Sequence, residues 1–243
     1  MRYLHLLGHA ALDLLLPPRC EVCGLLQEPV ICDACVEQLT PITQPYCRQC
    51  GIPLDPRAHT PGHCADCRGE APPFDAARSA GVYGGALRRA IHVYKYALVV
   101  ALARPLAAFL TQYLEIPFPL DCLCPVPLHR ARERIRGFNQ SRLLAEHACN
   151  DWGIPHEPHL LTRLQNTTPQ MQLPREERRA NVRGAFAVDG DVRGRSIGLL
   201  DDVYTTGSTL TECSRVFKRA GAERVLVITL ARALPERGLA SKS

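Results

Sequence analysis

Ser196 to Leu210, SIGLLDDVYTTGSTL, constrains the fold more than any other stretch of the chain. Ile197 to Leu200 is a short apolar run, the pattern of a strand buried in a parallel sheet. Asp201 and Asp202 follow where that strand is expected to end. Thr205-Thr206-Gly207-Ser208-Thr209 then crowds hydroxyl residues around one glycine. Leu210, Cys213, Phe217 and Ala220 recur at helical spacing, and Gly221 closes the helix. A helix N-terminus presents unpaired N–H groups and partial positive charge, so it attracts phosphate. Gly207 lets backbone approach closely, and the hydroxyls add donors. Paired carboxylates do not favour phosphate; they suit sugar hydroxyls or a magnesium ion carried on the substrate. Together these groups describe a site for a phosphorylated sugar. An ordinary capped helix after a strand accounts for one Asp and one Thr. It does not account for the acidic pair and the whole hydroxyl run.

The chain has 243 residues, enough for one medium domain plus a small one. With 46 % hydrophobic and 22 % charged residues it is globular. A net charge of +5 permits an acidic ligand or nucleic acid without demanding one. No apolar run approaches the roughly 18 residues a membrane helix needs. The opening MRYLHLLGHAALDLLLPP is broken by His5, His9 and Asp13 and lacks a small-residue cleavage site, which argues against a signal peptide. Leu4, Leu7, Ala11, Leu14 and Leu15 share a face instead. The expectation is an amphipathic helix over residues 1–18, packed on its own protein and ended by Pro17-Pro18. Docking on a membrane surface is the weaker alternative, because the opposite face lacks a basic run. Nothing suggests export, so a cytoplasmic location is expected.

Of twelve cysteines, eight fall between Cys20 and Cys67 as four C-x-x-C pairs: Cys20/Cys23, Cys32/Cys35, Cys47/Cys50 and Cys64/Cys67. Two thiolates at this spacing share one tetrahedral zinc through a tight knuckle. Eight ligands make up to two closed, structural zinc sites within a zinc-binding module spanning residues 19–70. Sequential pairing keeps each loop short and is preferred; crossed pairing stays open. A disulfide framework is the alternative, but it needs an oxidising compartment. His59 and His63 lie in the second loop and read as surface residues. Cys122, Cys124, Cys149 and Cys213 sit in apolar contexts and read as core.

Gly69 to Phe74, with Pro72-Pro73, reads as the linker to a second domain over residues 74–243. Arg78 to Tyr83 is a strand candidate. Ala86 to Leu102 reads as one helix with Leu87, Ile91, Tyr94 and Leu98 on a face, and Lys95 within it facing solvent. Asp121 to Val126 is the next buried strand. It leads into a basic loop bearing Arg130, Arg132, Arg134 and Arg136, then Asn139 and a helix from Gln140 to Asp151. In a parallel sheet that loop shares the carboxyl edge with Asp201 and Asp202, where ligands bind. Its arginines suit pyrophosphate bidentately or a nucleic-acid backbone. Asn166 to Phe186 carries Arg175, Arg178, Arg179 and Arg183 and reads as an exposed loop before a strand at Ala185 to Val188. The last strand runs from Arg224 to Leu230.

LLDDVYTTGSTL resembles the phosphoribosyl pyrophosphate motif of type I phosphoribosyltransferases. The resemblance implies an α/β fold: a type I phosphoribosyltransferase-like parallel sheet flanked by helices, behind an N-terminal four-cysteine zinc module. It implies that Asp201 and Asp202 hold the ribose hydroxyls, and that Thr205, Thr206, Gly207, Ser208 and Thr209 hold the 5′-phosphate. It puts Lys95 of the KY pair near the pyrophosphate and makes Asn166 to Phe186 a loop that closes over substrate. With the four C-x-x-C pairs, PVPLHRARERIRGFNQS and TPQMQLPREERRANVRGAF, the match narrows to ComF-type (ComFC/GntX-like) proteins and covers roughly Pro17 to Arg232. That family is associated with natural competence and internalised single-stranded DNA, so DNA and competence helicase or DNA-processing proteins become expected partners. Tyr204, bulky beside the phosphate turn, departs from the pattern.

Ribosyl transfer needs charge and positioning more than covalent help. Asp201, Asp202, Arg136 and magnesium are the catalytic candidates; Arg130, Arg132, Arg134, Arg136, Asn139 and Arg179 are candidates for pyrophosphate or nucleic acid. Little chain follows the last strand, so an acceptor-binding hood at that end is minimal and the acceptor is open. Two expectations stand side by side: a phosphoribosyltransferase of unknown acceptor, and a non-catalytic single-stranded-DNA-binding competence accessory protein.

Overall fold

A computed structural model describes residues 17–26, 28–57, 62–167 and 177–235. The expected N-terminal amphipathic helix, His59 and residues 168–176 of the arginine-rich loop lie outside the described residues. Two short helices, α1 (Asp33–Glu37) and α2 (Ala65–Gly69), belong to the cysteine-rich segment. Strand β1 (Ala76–Val82) follows, then α3 (Gly85–His92), α4 (Ala103–Tyr113), β2 (Cys122–Pro125), α5 (Arg130–Arg136) and α6 (Gln140–Trp152). The chain continues through β3 (Leu161–Arg163), α7 (Glu177–Val182), β4 (Phe186–Val188), β5 (Ser196–Tyr204), α8 (Ser208–Arg219) and β6 (Arg224–Arg232).

Four strands form an all-parallel sheet in the order β1-β6-β5-β2. Parallel strands need crossovers, which place helices on both faces and bury both faces of each strand. The apolar runs in β5 and β6 follow from that burial. Alternate residues divide between the two sides. Leu123, Leu200, Leu226, Ile228 and Leu230 join the cluster built with α4 and α6. Cys122, Cys124, Ile197, Leu199, Val225 and Val227 join the cluster built with Cys213 and Phe217 of α8. Strands β3 and β4 make a separate antiparallel ribbon. The expected fold class, a parallel sheet flanked by helices behind an N-terminal four-cysteine module, is the one the chain adopts.

Several local expectations change. The strand expected to stop at Leu200 runs through both aspartates to Tyr204, because β6 continues to pair opposite it as far as Tyr204↔Arg232. The single helix expected over Ala86 to Leu102 breaks. It widens into a π-type turn at Val93–Ala97 and halts at Leu98, whose φ of 60° is left-handed, before α4 begins. Tertiary ties hold that break: the buried Tyr94 hydroxyl donates to the Gln140 carbonyl at 2.9 Å, and Lys95 is drawn inward to Asp202. The basic loop is the helix α5, its first turn capped by His129 Nδ1 accepting from the Ala131 N–H. Strand β3 has too few residues to show a period, and its pairing with β4 is what makes it a strand.

The segment read as a linker does not hold the cysteine module at a distance. Strand β1 has β6 on one side; on the other, the module covers its edge. The Ile42 N–H donates to the Ala80 carbonyl at 2.9 Å, the Val82 N–H to the Thr40 carbonyl at 2.8 Å and the Ala77 N–H to the Gln49 carbonyl at 2.7 Å. A paired edge is protected from pairing with another chain. The approach is close at Gly51, where φ is 72° and an added Cβ would collide with the Ala77 carbonyl oxygen. Gly51→Ala is therefore expected to cost at least about 2 kcal/mol of stability, through left-handed strain and backbone overlap. Chemical denaturation of the zinc-loaded protein checks this; a midpoint equal to wild type would contradict the tight docking.

Candidate functional site

The carboxyl edge of the sheet opens into a cavity of about 580 Å³. Asp201 and Asp202 reach it from β5, Thr205 and Thr209 from the turn into α8, and Lys95 from the π-type turn. Arg132 and Arg136 reach it from α5. Extension of β5 past Leu200 places the acidic pair on a rigid strand, where the sequence suggested a strand end.

The charges interlock. The Lys95 ammonium lies 2.7 Å from Asp202 Oδ2, with both side chains largely buried. Burial alone pulls an ammonium down, but the Asp202 carboxylate outweighs it and holds Lys95 above its usual range. Asp201 Oδ1 accepts from the Ser141 hydroxyl at 2.9 Å and from the Asp202 N–H at 2.9 Å. Burial, followed by the adjacent Asp202 charge, nevertheless pushes the Asp201 carboxyl up to about 7; Lys95 and the two hydrogen bonds oppose that rise. The hydroxyl turn is locally closed: Thr206 Oγ1 and Ser208 Oγ lie 2.9 Å apart, and Gly207, at φ 75°, opens α8. The Gly207 carbonyl accepts the Thr211 N–H at 2.8 Å, so the helix starts at the turn itself.

Other expected residues go elsewhere. Asn139 is buried as the N-cap of α6, accepting from the Ser141 and Arg142 N–H groups and donating to the Val126 carbonyl. It shapes the loop and does not line the cavity. Arg130 faces an adjacent groove, Arg134 is exposed, and Arg179 sits 3.9 Å from Glu70 on the flank of α7. Sequence reasoning missed Ser141, which only the fold brings to Asp201. It also missed Arg163 of β3, which lines the cavity, lies over the Phe186 ring at 5.3 Å and shares the Thr167 segment with Arg132. No spacing rule marks an arginine in a three-residue strand. Lys95, which helical spacing put toward solvent and the KY resemblance put near the site, is a cavity residue.

The eight paired cysteines form two groups of four, Cys20/Cys23/Cys32/Cys35 and Cys47/Cys50/Cys64/Cys67, the sequential arrangement. Within each group the sulfurs lie within 4.8 Å of one another. Cys23 and Cys32 Sγ are 3.7 Å apart, as are Cys50 and Cys64 Sγ. Four thiolates around zinc at about 2.3 Å stand roughly 3.8 Å from one another, so the spacing suits a shared metal and not a disulfide. Burial resists ionisation of Cys20 and Cys47. Surrounding backbone N–H groups, led by Cys32 and Cys50 respectively, outweigh it and bring the thiols down to about 6 and about 7. Cys35 and Cys67 are pushed up by burial and by their neighbouring sulfurs. A divalent cation removes that conflict and ionises all four sulfurs. His63 is not among either group's ligands.

Residues 11–73 match the model of the double zinc ribbon domain. Competence protein F of Haemophilus influenzae is 32 % identical over 215 residues, covering 84 % of this chain and 90 % of its own. DNA utilization protein YhgH of Salmonella typhi is 31 % identical over 231 residues, covering 91 % of this chain and all of its own. Among solved structures, the glutamine phosphoribosylpyrophosphate amidotransferase of Bacillus subtilis aligns with 53 % of this chain and 26 % of its own length, at 23 % identity and a TM-score of 0.37. A double zinc ribbon joined to a parallel α/β domain with an acidic pair on its carboxyl edge defines the class. The chain belongs to the ComF family, with Competence protein F and YhgH as relatives.

Asp201 gives the site a pH signature. Its folded pKa lies above the ordinary 3.8, so the native state binds the extra proton and is favoured at low pH. That contribution is lost as pH rises from 3.8 to about 7. Asp201→Asn is therefore expected to raise the melting temperature more at pH 8 than at pH 4. Thermal unfolding across this range checks it; an equal shift at both ends would contradict the burial of an ionised carboxylate.

Proposed function

We propose that the cavity binds phosphoribosyl pyrophosphate together with magnesium, in a protein that acts in the cytoplasm on internalised DNA or its products. One observation carries the reading: the acidic pair, the hydroxyl turn at a helix N-terminus and the cations Lys95, Arg132, Arg136 and Arg163 all open on one cavity. Asp201 and Asp202 accept from the ribose hydroxyls. The turn Thr205 to Thr209 takes the 5′-phosphate on N–H and hydroxyl donors. The arginines take the diphosphate, for which a forked guanidinium is suited. Magnesium fits the donor set, because it is commonly held by one or two carboxylates plus substrate phosphates. When bound it would neutralise charge on the diphosphate.

The Lys95–Asp202 pair gives the site a resting state. A ribose diol at Asp202 competes for the same oxygen and frees the ammonium for the diphosphate. In a transfer reaction the departing diphosphate and the cationic sugar would be stabilised by these fixed charges, without a covalent enzyme intermediate. The names of the relatives, Competence protein F and DNA utilization protein, support a role linked to DNA uptake. Calorimetry with phosphoribosyl pyrophosphate and magnesium tests the ligand. Binding is expected in wild type and at least about ten-fold weaker in Asp202→Asn, the loss of a charged hydrogen bond. Equal affinity in the variant would sink the assignment of the pocket.

A second reading, single-stranded DNA binding, is favoured by a separate groove between α7 and α8. Arg179, Arg183, Arg215 and Arg219 surround it, with Glu212 paired to Arg215. If the groove tracks a DNA backbone, the log–log salt slope of binding is about −0.7 for each phosphate contacted. Replacing Arg183 and Arg219 by glutamine should flatten that slope. A slope near zero in the wild type would rule this surface out.

A further inference from the structure

A continuous run of buried contacts joins the second four-sulfur group to the hydroxyl turn. Arg232, at the end of β6, is only 6 % exposed. Its guanidinium donates to the Cys50 carbonyl at 2.5 Å and to Cys50 Sγ at 3.7 Å. The same guanidinium lies over the Tyr204 ring, 4.1 Å from its centroid. Tyr204 is in register with Arg232 and is itself buried, with Phe74 meeting its ring edge-on at 6.5 Å. The phenol end of the ring sits against Gly207: a Cβ there would come within 2.5 Å of the phenol oxygen. The ring is thus a floor under Gly207, the residue whose left-handed φ turns the chain into α8.

Charge balance explains why the run ends at a metal site. Among the described residues, no carboxylate pairs with Arg232; its polar partners are the carbonyl and sulfur of Cys50 and the neutral Tyr204 phenol. A buried cation without a counter-charge is costly. A zinc ion held by four thiolates carries net negative charge and supplies one. It also fixes the Cys47–Cys50 knuckle, whose Cys50 N–H points at Cys47 Sγ and whose Gly51 rests on β1.

We propose that Arg232 is a positioning residue that couples the Cys47/Cys50/Cys64/Cys67 metal site to the turn Thr205 to Thr209. Cys50 holds the guanidinium over Tyr204, and Tyr204 holds Gly207 in the shape that presents the N–H groups of the turn. Metal occupancy of the second site then sets the affinity of the turn for a phosphate. The first site, Cys20/Cys23/Cys32/Cys35, has no such tie to Arg232. The consequence for affinity rests on the reading of the turn as a phosphate cradle; the mechanical coupling does not.

Hydrogen–deuterium exchange on the zinc-loaded full chain separates the two. In Arg232→Met, the Thr211 amide, which donates to the Gly207 carbonyl, is expected to exchange about ten-fold faster, the order of one lost charged hydrogen bond. The amides of Leu199 and Leu200 keep their rates, and metal content stays at one zinc per four-sulfur group. Arg232→Lys keeps the charge without the planar fork and recovers part of the protection; it carries the test if the methionine variant does not fold. Cys64→Ser loosens the same segment. Calorimetry with phosphoribosyl pyrophosphate and magnesium shows an about ten-fold loss of affinity in Arg232→Met. Unchanged exchange at Thr211 overturns the coupling, and so does acceleration spread evenly over every strand. If wild type binds no phosphoribosyl pyrophosphate while the segment still loosens, the coupling stands and the ligand assignment fails.

Discussion

The buried ion pair between Lys95 and Asp202 is the interaction around which the cavity is arranged. Two opposite charges leave water together, and the Asp202 carboxylate holds Lys95 in its charged form. Removing one partner of such a pair strands the other and costs about 3–5 kcal/mol. The pair also explains two irregularities. Strand β5 must continue past its apolar run to carry Asp202 inward, and the helix before Lys95 must widen into a π-type turn to bring the ammonium to it. Local widening of this kind recurs at functional sites.

The cysteine module is more than a cap joined by a linker. It pairs with the free edge of β1, packs Cys47 and Cys50 into the same apolar cluster as Phe74 and Tyr204, and supplies the carbonyl and sulfur that accept from the Arg232 guanidinium. A small domain with little core of its own gains stability from metal. Here the Cys47–Cys50 knuckle also holds Arg232, which lies over the Tyr204 ring beside Gly207. The second four-sulfur group and the hydroxyl turn therefore meet through backbone and ring packing.

Legibility in the sequence followed how local each constraint is. The run from Ile197 through Gly221 announced strand, turn and helix, because apolar burial, glycine conformation and helical spacing act within a few residues. The C-x-x-C pairs announced two groups of four sulfurs, because a knuckle is a local turn. Helical spacing alone put Lys95 toward solvent and only the KY resemblance put it at the site; the π-type turn at Val93–Ala97 is what brings it to the cavity. Asn139 was read as a ligand candidate, and it is a helix cap; the same amide serves either purpose, and the neighbouring backbone decides. Ser141 and Arg163 carry no local signature.

By itself, the sequence determined the chemical kinds present: an acidic pair, a hydroxyl-rich turn, clustered arginines and eight thiols in knuckle spacing. These are properties of residue type and short-range geometry. Tertiary structure decided which of them share a cavity. The order β1-β6-β5-β2 brings α5, the π-type turn and α8 to one edge, leaves Arg134 and Arg179 outside it, and sets Arg232 between a metal site and the Tyr204 ring. Those outcomes depend on strand register and on contacts between residues far apart in the chain, and no pattern within a short window encodes them.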